Sequence, residues 1–242
     1  MSDLPENPRI TAAPGGSQAV ESAASELVIN YVIEKLSSRE LNPGDRLEPE
    51  RDLAARLGVS RASVREAIKV LNYMGFLDSA RGSGNYISSR YDATVSSIMR
   101  VMYLRGEIDS ESFITFRQML ELQAFDLALD LATDAEKQEM TQTFDLLDIC
   151  KDDQLIFALD NRFHTLIVEA SHNDLIRLNY SALSKASMSF MSDVFYGKTK
   201  KVVKGFETLQ SFHRGMLEGI LQHDREMGRK AILDHFNWTR RQ

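Results

Sequence analysis

The sequence predicts a mainly α-helical protein in two parts, an N-terminal winged helix-turn-helix followed by an all-α helical bundle. Three observations carry that expectation. Residues 47–84 read as helix, glycine turn, second helix and short β-ribbon with a glycine-rich tip. Proline is absent from Glu50 to Gln242. After Tyr86-Ile87 no strand-like alternation persists, and apolar residues recur at helical spacing instead. A chain of 242 residues has room for two modest domains.

Residues 1–18 hold three of the five prolines and two adjacent glycines, and are expected to form a disordered tail. The DNA-binding-type module is expected over 19–90 and the bundle over 91–242. A helix from about Val20 to Leu36, with Val28, Val32, Ile33 and Leu36 inward, leads into Pro43-Gly44. Pro49 suits the first turn of the next helix, where a missing N–H costs nothing. Leu53, Ala54 and Leu57 give that helix an apolar face, and Gly58 can end it in the left-handed conformation. Ser60 is a good N-cap for the second helix, whose inner face is Val64, Ala67, Ile68 and Leu71. Ser63, Arg65, Glu66 and Lys69 are left pointing outward or along the edge. Leu77 to Ala80 and Asn85 to Ser88 read as the two strands of a wing around Arg81-Gly82-Ser83-Gly84.

In such a motif the N-terminal end of the second helix meets base edges and phosphates. Arg61, Ser63 and Arg65 sit there. Arginine can hold a guanine edge or a phosphate with two hydrogen bonds. Ser60, Ser63 and the free N–H groups of the helix can donate to phosphate oxygens. Arg81 stands at the wing tip, within reach of a groove. The chain is acidic overall at −6, but charge is local. From Arg39 to Arg90 there are 9 Lys/Arg against 7 Asp/Glu; from Ser110 to the end there are 16 against 20. The split assigns duplex DNA to the front and disfavours it at the back. A single cysteine, Cys150, excludes an intrachain disulfide, and no segment approaches the length of a membrane span. A cytoplasmic protein without membrane contact is expected.

Behind the wing, helices are expected near 92–105, 110–132, 134–150, 153–171, 174–196, 201–223 and 225–240. They break at Gly106, Thr133-Asp134, Ser171 to Asp174, Gly197 and Asp224. Within them, Asp160 and His164 lie four apart and share a helix face with Ile156, Phe163 and Ile167. His213 and His235 fall on apolar stripes of two later helices. Two readings stand from these residues alone: core histidines satisfied by their neighbours, or ligands of one metal ion. His172 and His223, beside helix breaks, read as cap or dipole residues. Arg117 lies on the apolar face of Phe113, Leu120, Ala124, Leu127 and Leu131 and needs a partner there. That partner is either Glu121 or an internal aspartate in a structural ion pair, or the carboxylate of a small ligand. The segment from Ser187 to Lys200 is expected to line part of the same cavity.

Taken together, the run from Pro43-Gly44 through Arg51, Val59-Ser60-Arg61, Arg65-Glu66-Ala67 and Gly75 to Gly82-Ser83-Gly84 resembles the DNA-binding domain of the GntR superfamily. With the helical bundle behind it, the chain resembles the FadR subgroup, whose bundle is the FCD domain. The resemblance implies DNA contacts at Arg51, Ser60, Arg61, Ser63, Arg65, Arg81 and Gly82, made by a homodimer on a short pseudo-palindromic operator. It also implies metal ligation by Asp160, His164, His213 and His235, and an effector clamp at Arg117. One carboxylate and three imidazoles suit zinc or nickel and fit calcium or magnesium poorly. The implied function is a transcriptional regulator, expected to be a repressor, whose operator affinity is set by a small carboxylic acid. A metal-free regulator answering an acyl thioester is the alternative. A metal-dependent hydrolase is disfavoured, because the His-Glu-x-x-His pattern is absent.

Overall fold

The computed structural model describes residues 16–80, 83–89, 91–190 and 199–241. The chain divides into two compact units between Tyr91 and Asp92. The first unit contains α1 (Gly16–Ser37), α2 (Glu50–Leu57), α3 (Arg61–Tyr73), β1 (Leu77–Ala80) and β2 (Gly84–Ile87). Its core is a single cluster that includes Val28, Val32, Leu53, Val64, Ala67, Leu71, Leu77 and Ile87. The inward residues expected of α2 and α3 are all in or against that cluster.

Local chemistry explains the boundaries. Pro49 precedes α2, and Gly58 closes it at φ 66°, ψ 29°, as the turn requires of a residue without Cβ. Ser60 caps α3 by accepting from the Ser63 N–H. The two strands pair antiparallel in the register Leu77↔Ile87 and Ala80↔Gly84. The wing therefore has the expected strands, with the second starting one residue earlier.

Three expectations are corrected here. α1 begins at Gly16, so residues 16–18 are helical rather than tail. Ile33 is 37% exposed, because Val28 and Val32 already fill the inward stripe of α1. Ser63 is 2% exposed instead of pointing outward. The cap turns its hydroxyl inward, 2.9 Å from the Ser60 Oγ.

The second unit continues from α4 (Tyr91–Leu104) with α5 (Ser110–Leu131), α6 (Asp134–Ile149), α7 (Asp153–Glu169), α8 (Asp174–Phe190), α9 (Thr199–Leu221) and α10 (Arg225–Arg240). The breaks at Gly106, Thr133-Asp134, Ser171 to Asp174 and Asp224 lie where they were expected. Gly106 is left-handed at φ 71°. Thr133 and Glu136 form a reciprocal capping box, and Asp109, Asp152 and Asp224 cap α5, α7 and α10. His172 and His223 adopt φ 49° and 55°, the left-handed geometry of a residue just past a helix end. This agrees with their expected cap roles. The break expected at Gly197 lies outside the described residues, as does the part of the Ser187-to-Lys200 segment from 191 to 198.

The core of this unit runs through Phe125, Ala128, Met140, Phe144, Phe163, Ile167, Met216, Ile220 and Ile232. α9 and α10 form an antiparallel pair drawn close by small residues. A Cβ on Gly219 would lie 2.8 Å from the Gly228 Cα, and one on Gly228 would lie 1.9 Å from the Phe125 ring. His213 and His235 stand at similar distances from the turn at Gln222–Asp224, so the pairing brings them level. No described helix is long and apolar enough to cross a membrane.

Candidate functional site

Two sets of side chains were singled out, one in each unit. In the first unit Arg51, Ser60, Arg61 and Arg65 are all exposed around the α2–α3 turn. Arg65 Nε donates to Glu50 Oε2 at 2.8 Å, and Arg51 Nε donates to its neighbour Asp52 at 3.0 Å. The guanidinium of Arg65 is thus held at the front of α3 by the first residue of α2. Ser60 spends its oxygen on the cap, accepting from the Ser63 N–H at 3.0 Å. Ser63 is buried, so its hydroxyl supports the cap. Arg81 and Gly82 lie outside the described residues.

In the second unit Asp160, His164, His213 and His235 converge. One donor atom from each lies within 4.8 Å of the others. α7 supplies the first two a turn apart, α9 the third and α10 the fourth. His164 and His213 are fully buried and His235 nearly so, while the Asp160 side chain is 20% exposed. His213 Nε2 is 3.1 Å from Asp160 Oδ1 and 3.2 Å from His164 Nε2.

The surrounding bonds decide which ring atoms face the centre. Glu121 on α5 places Oε2 2.7 Å from His164 Nδ1. Burial works against this carboxylate, but His164 and Arg117 outweigh it and hold its pKa at about 2. An ionised carboxylate only accepts, so His164 donates to it from Nδ1, and Nε2 is the nitrogen turned toward His213 and Asp160. On α9, Gln210 Nε2 donates to the Leu147 carbonyl at 3.5 Å, which turns Gln210 Oε1 toward His213 Nδ1 at 3.2 Å. His213 therefore meets an acceptor at each nitrogen, Gln210 Oε1 on one side and Asp160 Oδ1 on the other. Burial pushes the His213 pKa below its ordinary value, so the ring is neutral and has one N–H for two acceptors.

Burial also drives His235 well below its usual range, and among the described residues its Nδ1 has no hydrogen-bond partner. Burial would raise the Asp160 pKa, yet the His213 hydrogen bond and the nearby His164 hold it far below the carboxylate range. Lone pairs and one negative charge thus face a common point, and a divalent cation removes the mismatch. The donor set, three imidazoles and one carboxylate, fits zinc or nickel.

Beside this cluster, Arg117 Nε donates to Glu121 Oε1 at 2.7 Å, and an Nη donates to the Tyr180 hydroxyl at 3.0 Å. Of the partners left open for Arg117, the internal one is Glu121. Tyr180, a residue the sequence did not single out, is almost fully buried. Burial pushes its pKa up, so the phenol stays neutral. Burial weakens the charge on Arg117, but Tyr180, Glu121 and Asp160 more than restore it. The guanidinium has five N–H donors and these two bonds engage two of them, which leaves donors for an anion. Next to Asp160, Asn161 accepts from the Ser184 hydroxyl of α8 at 2.7 Å. Gln210 and Tyr180 are the site residues that sequence reasoning left out, while Glu121 was expected only as a partner of Arg117 and not of His164.

Comparison with known proteins separates the two units along the chain. Residues 24–87 match the bacterial regulatory proteins, gntR family, and residues 112–237 match the FCD domain. A relative from Escherichia coli (strain K12), the "Putative L-lactate dehydrogenase operon regulatory protein", is 28% identical over 221 residues, covering 89% of this chain and 84% of that protein. The "HTH-type transcriptional regulator LutR" of Bacillus subtilis (strain 168) is 25% identical over 76% of this chain and 86% of its own length. The solved structure of Streptococcus agalactiae GntR has the same fold, with a TM-score of 0.63 at 21% identity; the alignment covers 90% of this chain and all of that one. These relatives are transcriptional regulators rather than enzymes. The order of the two matched segments follows the order of the two compact units, and the chain belongs to the GntR family of bacterial transcriptional regulators, with an FCD domain behind its DNA-binding head.

Proposed function

We propose that the helical unit of this regulator binds a divalent transition metal and a small carboxylic acid, and that the acid sets operator affinity. Asp160, His164, His213 and His235 hold the ion, zinc or nickel. When bound, the ion supplies positive charge and a Lewis-acidic face beside Arg117. Arg117 takes the acid's carboxylate through its remaining N–H groups, backed by Tyr180 and Glu121. The observation that carries this reading is His213, a neutral buried ring between two acceptors.

In the head, Arg61 and Arg65 read base edges or phosphates, Arg51 and Arg81 grip the backbone, and the Ser60-capped start of α3 offers free N–H groups to phosphate. Gly82 lets the wing backbone approach the duplex, and Ser63 contributes through the cap. The protein acts as a homodimer in the cytoplasm, as a repressor on a pseudo-palindromic site. The FCD relative named for an L-lactate dehydrogenase operon makes L-lactate the first acid to try.

Regulation requires that the acid bind the DNA-competent and incompetent states unequally; a coupling of about 1–3 kcal/mol corresponds to a 5–150-fold change in affinity. The test combines metal content of the purified protein, by mass spectrometry, with anisotropy titrations of labelled promoter fragments with and without L-lactate. About one zinc or nickel per chain and an acid-dependent affinity are expected. Protein that binds its operator yet retains neither metal refutes the cation reading. Operator affinity that no small mono- or dicarboxylic acid alters refutes the effector reading.

A further inference from the structure

The geometry points to Glu121 as a positioning residue that links the cation cage to the acid clamp, so that the ion and the carboxylate bind cooperatively. The inference rests on the metal and acid reading above and adds the residue that joins them. Its two oxygens are divided between the two halves of the site. Oε2 accepts from His164 Nδ1 and Oε1 accepts from Arg117 Nε, each at 2.7 Å. The residue is 2% exposed, so water does not compete for either bond. A continuous chain results: cage, His164, Glu121, Arg117, Tyr180.

Two physical consequences follow from that chain. An ion at His164 Nε2 withdraws charge from the ring and makes Nδ1–H a stronger donor to Glu121. Glu121 then leans on His164 and gives less of its charge to Arg117, which strengthens the pull of Arg117 on an incoming carboxylate.

The test uses the full-length protein, zinc as the ion, and acetate and L-lactate as acids. Zinc affinity is measured by competition with a chromophoric chelator, and acid affinity by calorimetry on zinc-saturated and chelator-treated protein. In the wild type, zinc should tighten acid binding within the 5–150-fold range typical of such coupling. Glu121→Gln keeps an acceptor for His164 but sets an amide against Arg117. It should weaken zinc by about 10–100-fold, because a neutral amide accepts from His164 less strongly than a carboxylate does. At saturating zinc, its zinc–acid coupling should shrink to within about twofold of none.

Wild-type zinc affinity in Glu121→Gln, or wild-type coupling in it once zinc is restored, overturns the proposal while the cage stands. Wild-type protein that holds no zinc removes the cage as well, so the two failures are distinct. A measurement on the unmodified chain guards against a variant that does not fold. Imidazole nitrogen NMR of the zinc-saturated protein should show a proton on His164 Nδ1; an Nδ1 without one overturns the proposal.

Discussion

His213 and Arg65 illustrate how one side chain's neighbours assign its work. His213 is locked between Gln210 of its own helix and Asp160 of α7, with one proton to share. His213→Ala should weaken zinc by more than the roughly 100-fold upper end seen for outer-shell losses. An ion at about 100 times its Kd stabilises a fold by ~2.7 kcal/mol. Zinc should therefore raise the melting temperature of the wild type but not that of the variant. An equal zinc response in both proteins removes His213 from the cage. Arg65 is exposed and oriented by Glu50. An exposed pair of this kind adds ~0–1 kcal/mol to stability, so Arg65→Ala should leave folding almost unchanged. If the guanidinium makes a bidentate base contact, the variant should lose ~1–3 kcal/mol of operator binding. Undiminished affinity in an anisotropy titration would reject that role.

At the scale of elements, the site depends on how closely α9 and α10 approach each other. Gly219 and Gly228 permit that approach, and Phe125 of α5 fills the space a Gly228 Cβ would need. Gly228→Ala must push the Phe125 ring or the α10 backbone aside. Overpacking of this kind costs about 1–3 kcal/mol, and a 1.9 Å contact with the ring puts this case at the upper end. Chemical denaturation should show that loss, and zinc should bind more weakly because His235 rides on α10. A variant within about 0.5 kcal/mol of wild type, the ordinary range for surface changes, would show that the helices have room to spare. The element boundaries themselves were legible in advance. Thr133 with Glu136, Asp224, Gly58 and Ser60 act within a few residues of where they stand, so their effect can be read without knowing the partners.

At the scale of the whole molecule, a gntR-type DNA-binding unit and an FCD unit share one chain. The separate duties proposed for them predict a separable variant. Arg117→Ala removes the clamp from the second unit and leaves the first unchanged, so operator affinity without acid should stay within about twofold of wild type. The acid response, a 5–150-fold effect in a typical coupled system, should disappear. A full response to L-lactate in that variant would assign the acid to another place. The local excess of basic residues between Arg39 and Arg90, 9 Lys/Arg against 7 Asp/Glu, suits this division.

The sequence by itself determined the two-part architecture, nearly every described helix end, the wing, and the four side chains that converge in the bundle with one arginine beside them. Caps, turns and apolar periodicity are local signals, and a histidine on an apolar stripe declares itself within its own helix. The tertiary structure alone decided that Ser63 turns inward and that Glu121 divides its oxygens between His164 and Arg117. It also decided that the Leu147 carbonyl orients Gln210 and that Tyr180 backs the clamp. Those facts depend on which helices meet and at what height, and burial then fixes protonation. Neither is written in the residues next to them.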